Sequence, residues 1–143
     1  MLKNPGKGRM FKQYVCSKIG KSGCYFLSLV YIAEEITKKT IDIFSLYEKG
    51  IKEKWFDSDC FMQNPAAMMS YLLGRKVDVR HDVTGYSPKS NEYEITRYEL
   101  KETGVTYGHF CVTKNGKLVY DPFGESRTRK AGKAVSTRIV KLI

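Results

Sequence analysis

The hydrophobic period of the chain changes once, near Gly74, and that change limits the fold class more than any other feature. Before Gly74 the apolar residues fall at helical spacing. Tyr25, Phe26, Leu27, Leu29, Val30, Tyr31, Ile32, Ala33 and Ile36 predict a helix from Cys24 to about Lys38. It is apolar nearly all round its first two turns, the mark of a buried helix. Ile43, Leu46, Tyr47 and Ile51 predict a second helix over about Asp42–Lys52, with Gly50 weakening its end. Asn64-Pro65 supplies an N-cap and a proline at the first helical position for a third, which runs through Met68, Met69, Tyr71 and Leu72 to Gly74. Beyond Gly74 the pattern alternates. Short strands are expected around Val77–Val79, Tyr93–Leu100 and Val135–Leu142, and a hairpin from Tyr107 to Asp121 turns at Asn115-Gly116. Helices first and antiparallel strands second define an α+β class.

At 143 residues the chain suits one domain with a real core. Asn4-Pro5-Gly6 and Gly8 mark residues 1–10 as a flexible basic arm, leaving 11–143 as the single domain. No signal-peptide pattern is visible. The longest apolar run, Cys24 to Ala33, is about half of what a bilayer span needs, so a cytoplasmic protein without a membrane partner is expected. In that setting Cys16, Cys24, Cys60 and Cys111 are expected as thiols rather than disulfides. With two histidines and no C-x-x-C pair, neither a structural metal nor a cofactor is expected.

The net charge of +10 is concentrated at the ends. Residues 1–21 and 126–143 each carry six Lys/Arg and no acid, while the middle is close to neutral. Ends that meet on the surface would form a patch for an anionic substrate or partner. A nucleic-acid module is the less favoured reading, because those ends lack interleaved stacking aromatics and no helix-turn-helix or zinc-finger pattern appears.

Cys24 follows a glycine loop and opens the buried helix. A helix N-terminus favours the reactive thiolate, and the Cys24 N–H becomes available to an oxyanion. Gly108-His109-Phe110-Cys111-Val112-Thr113 places a histidine at the start of an apolar strand, and the returning strand ends in Tyr120-Asp121-Pro122. An imidazole that serves a thiol needs a third group to hold its tautomer, and Asp121 on the paired strand is suited to that.

The hairpin tests this directly. A two-residue Asn-Gly turn pairs Lys114 with Lys117, sets Phe110 opposite Asp121 and sends His109 to the other face. A three-residue Lys114-Asn115-Gly116 loop with a bulge pairs His109 with Asp121 instead. The expectation is that bulged turn, or an equivalent bulge further along.

The series Gln13, Gly23-Cys24 opening an apolar helix, His109-Phe-x-Val and Tyr120-Asp121-Pro122 resembles the papain-like cysteine peptidases. It is most similar to the bacterial branch that includes the double-glycine leader peptidases. The resemblance spans residues 13 to 122 and rests on about four short motifs. It implies a papain-like fold, with a buried nucleophile helix packed on the C-terminal sheet. It also implies that Cys24 is the nucleophile, His109 the general base and acid, Asp121 the orienting group, and Gln13 a side-chain donor to the oxyanion hole. The family's cysteine is often followed by small residues and proline, so Tyr25-Phe26 here would narrow the cleft. The activity implied is that of a cysteine hydrolase, a peptidase or amidase acting on a protein or peptide.

Two other readings stand beside it. Cys60 and His81 could form a second dyad, but Asp57 and Asp59 would disfavour a thiolate at Cys60. Alternatively the scaffold binds a protein or anionic partner and hydrolyses nothing. Cys111 reads as a small core residue, and Met62, Met68 and Met69 as core filler.

Overall fold

A computed structural model describes residues 17–20 and 22–143; Gln13, Cys16 and the basic arm of residues 1–10 lie outside the described residues. The helices follow the apolar spacing. The first, α1 (Cys24–Thr37), buries Phe26, Leu29, Ile32 and Ala33 and stops at Lys38 in the left-handed conformation. The next, α2 (Ile43–Lys52), begins where the Asp42 carboxylate accepts the N–H groups of Phe44 and Ser45. Asn64 Oδ1 accepts the Ala67 N–H at 3.1 Å to start α3 (Pro65–Leu73), and Gly74 ends it. Met68 and Met69 are fully enclosed in the core these helices share, and Met62 packs against it. Among the described residues no helix is long and apolar enough to cross a membrane.

Five strands follow: β1 (Val77–Val83), β2 (Glu92–Glu102), β3 (Val105–Lys114), β4 (Lys117–Tyr120) and β5 (Lys133–Leu142). They form one antiparallel sheet in the order β1-β5-β2-β3-β4, so the last strand lies between the first two. A short helix, α4 (Arg127–Ala131), sits between β4 and β5. No apolar period in Arg127-Thr128-Arg129-Lys130-Ala131 marks it in the sequence.

The two faces of the sheet differ in chemistry. On one, Ile95, Val112 and Val140 join the helices in the core, and Phe110 stacks on Tyr25 of α1 with ring centroids 4.7 Å apart. Each enclosed large side chain there contributes roughly 1.5–3 kcal/mol through burial. The other face is polar yet buried. The β2–β3 register sets Glu94 opposite Thr113, Thr96 opposite Cys111 and Tyr98 opposite His109, and directly opposed residues share a face. Thr96 and Thr113 hydroxyls bond at 2.6 Å, while the Thr113 hydroxyl and the Gly116 N–H donate to Glu94. Such a row is tolerated because its members are hydrogen-bonded.

The hairpin is tighter than expected at its turn. Asn115 and Gly116 both have positive φ, 51° and 80°, and Lys114 pairs with Lys117 across a two-residue turn. The three-residue loop is therefore not formed. The bulge comes one step further along: Thr113 pairs with Leu118 but Val112 with Tyr120, so β4 inserts Val119. That extra residue restores the parity the turn would have reversed.

Candidate functional site

Because Val112 faces Tyr120, the chain leaves β4 with Asp121 beside Cys111, on the polar face that also carries His109. His109 Nε2 and Asp121 Oδ1 bond at 2.8 Å with both side chains almost wholly buried. Asp121 is fully engaged. Oδ1 also accepts the Phe123 N–H at 3.0 Å, and Oδ2 accepts the Ser126 N–H at 3.0 Å and Arg129 Nε at 2.9 Å. Burial pushes this carboxyl up, but the donors from His109, Arg129, Ser126 and Phe123 together outweigh it and bring the pKa down to about 2. Asp121 is thus an anion at neutral pH, and Nε2 is the nitrogen that donates to it. Nδ1 is left as the acceptor in the neutral ring. The Phe123 ring lies over the imidazole, centroids 4.9 Å apart, and is itself 40% exposed.

Cys24 opens α1 at 8% exposure. Ser28 Oγ donates to the Cys24 carbonyl at 2.8 Å and reaches the Phe110 carbonyl at 3.4 Å. The Phe110 N–H opposes the rise in the Cys24 thiol pKa and so faces the same way. Both backbone groups of Phe110 therefore turn towards the first turn of α1, where β4 has already ended. This fastens the helix to the residue next to His109. Burial raises the Cys24 thiol above its ordinary value, against the opposing pull of the Phe110, Tyr25 and Cys24 N–H groups. The helix N-terminus alone does not make this sulfur a thiolate; burial wins in the resting state.

Of the predicted residues, the structure thus brings His109 and Asp121 into direct contact and seats the first turn of the Cys24 helix beside Phe110, the neighbour of His109 on β3. Gln13 lies outside the described residues. Cys60 belongs to the helical core, where burial and then Asp57 push its thiol up to about 12. His81 is on β1, edge-on to Tyr25 at 6.5 Å.

Three site residues were not apparent from sequence. Cys111 is fully buried but faces the site. Its sulfur, a His109 nitrogen and an Asp121 oxygen lie within 4.8 Å of one another. Burial and then the Asp121 charge push its thiol up to about 12. This trio has donor atoms suited to a metal, yet both Asp121 oxygens already accept two N–H groups and the Arg129 cation is 2.9 Å away, so a cation would have to displace them. Phe123 and Arg129 complete the surroundings. Only the Tyr-Asp-Pro turn hinted at Phe123, and Arg129 was one base in a charge run.

The C-terminal bases are largely paired. Arg127 bonds Glu102, Arg129 Asp121, Lys130 Glu125 and Arg138 Asp82. Residues 10–142 match a family described as "Protein of unknown function, DUF261". No curated protein matches the chain significantly, and neither does any solved structure.

Proposed function

We propose that this chain, which belongs to the DUF261 family, is a cysteine hydrolase of papain-like fold, cleaving an amide bond in a protein or peptide. One observation carries the reading: a buried His109–Asp121 pair, its carboxylate fully bonded, adjoins Phe110, whose carbonyl is reached by Ser28 of the helix that Cys24 opens.

In this mechanism His109 Nδ1 takes the thiol proton of Cys24 as the sulfur attacks the carbonyl carbon of the substrate. Asp121 holds the Nε2–H tautomer and stabilises the imidazolium. The oxyanion of the tetrahedral adduct accepts the Cys24 N–H. As the adduct collapses, the C–N bond breaks, the proton passes from His109 to the departing amine, and a thioester remains on Cys24. Water then attacks that thioester with His109 again as base, releasing the carboxylic acid and restoring the thiol. Because the resting thiol is neutral, proton transfer to His109 accompanies attack rather than preceding it. The enzyme is set in a cytoplasm, where Cys24, Cys60 and Cys111 stay reduced.

The burial of Cys24 favours one alternative, a papain-like scaffold that binds a partner without hydrolysis. A cellular protein pool treated with wild type or Cys24→Ala and read by mass spectrometry decides between them. New termini or freed amines are expected with wild type alone. Identical product sets would remove the hydrolase reading and leave the scaffold.

A further inference from the structure

We propose that Arg129 is a positioning residue: it fixes the Asp121 carboxylate so that one oxygen alone is presented to His109. This rests on the hydrolase reading for its purpose, but the contact it describes can be tested without a substrate.

Arg129 Nε approaches Asp121 Oδ2 at 2.9 Å, on the oxygen that also accepts the Ser126 N–H. Oδ1 is left to His109 and the Phe123 N–H. A buried carboxylate can rotate about its last bond and exchange its oxygens. With a cation committed to one oxygen, that rotation breaks a charge-assisted bond. The donor is Nε, part-way along the side chain. A lysine carries no N–H at that depth and would engage the carboxylate as a point charge.

The seat of Arg129 is also built. It lies on α4, and α4 ends at Gly132. A Cβ at Gly132 would lie 2.3 Å from both the Glu99 and Thr128 carbonyl oxygens, so only glycine lets the helix end close against β2. The flanking bases are tied down as well, Arg127 to Glu102 and Lys130 to Glu125 at 3.0 Å. A short helix without buried residues of its own is thereby held with one side chain turned inward to Asp121.

The His109 Nε2–H signal reports this contact. Proton spectra of the substrate-free protein are expected to show one sharp Nε2–H resonance held by Asp121 Oδ1. In Arg129→Ala, where the carboxylate can exchange its oxygens, that resonance should broaden and exchange faster with water, and the pH profile of Cys24 alkylation should change with it. Arg129→Lys, which keeps the charge, should restore the alkylation rate in part but leave the resonance broadened. Gly132→Ala, folded as judged by its melting curve, should broaden it with Arg129 intact. If Arg129→Ala fails to fold, Arg129→Lys is read alone. An unchanged Nε2–H resonance in either Arg129 variant would overturn the proposal. Absence of Cys24-dependent cleavage in the protein-pool experiment would sink the hydrolase reading and leave the Nε2–H result untouched.

Discussion

His109 and Asp121 meet at 2.8 Å across the end of β4, and their meeting depends on a single extra residue, Val119. Deleting Val119 would carry Tyr120 and Asp121 to opposite faces from those they occupy. Tyr120 would leave its stack on Tyr31, whose ring centroid is 4.3 Å away. The deletion is expected to abolish the His109–Asp121 bond and any Cys24-dependent activity, seen as loss of the Nε2–H signal. A retained signal would mean that parity is set elsewhere in the hairpin.

Thiol reactivity should rank the described cysteines. Cys24 is the least buried of the three and nearby N–H groups oppose the rise of its pKa, whereas Cys60 and Cys111 are sealed and pushed up to about 12. Iodoacetamide on the native protein, followed by peptide mapping, should modify Cys24 first. Faster labelling at Cys60 or Cys111 would contradict the assignment of the nucleophile.

Asp121 makes stability depend on acid. Its folded pKa of about 2 lies below the ordinary 3.8, so the folded state holds the carboxylate more firmly than the unfolded one. The contribution is on the order of 2 kcal/mol, is complete above about pH 5, and disappears as the pH falls through about 2. Urea unfolding of wild type and Asp121→Asn across that range should show curves that differ near neutrality and converge in acid. A constant gap at every pH would assign the effect to packing.

Phe123 should control access to His109. The chain has two histidines, and His81 is exposed while His109 is 3% exposed beneath the Phe123 ring. Diethyl pyrocarbonate should acylate His81 first in the wild type. Phe123→Ala should accelerate reaction at His109 and leave His81 unchanged. Equal rates at His109 in both proteins would show that other groups cover it.

The elements legible in the sequence were those whose signals are local. The apolar run after Cys24, the Asn64-Pro65 start, the Gly74 stop and the Asn115-Gly116 turn each carry their own stereochemistry, and α1, α3 and the hairpin stand where these signals put them. The bulge at Val119 has no such signature, because it is fixed by what β4 must face at its far end. Nor does α4: Arg127-Thr128-Arg129-Lys130-Ala131 has no apolar period and reads as a solvated charge run until Gly132 is seen against Glu99. Glu94, Thr96 and Tyr98 alternate with Tyr93, Ile95 and Arg97, which does not mark out a buried face, yet the face they share is enclosed. For the same reason Cys111 reads in the sequence as ordinary core, although it adjoins the candidate site.

The place of β5 in the sheet sets when such a site can come into being. Synthesised last of the five strands, Lys133–Leu142 lies between β1 and β2, with Val77 paired to Leu142 and Tyr93 to Val140. Pairings so distant along the chain close late and slowly. Until this strand has emerged from the ribosome, β1 has no neighbour and β2 lacks one of its two. A nascent chain therefore carries Cys24 well before its five-stranded sheet is complete.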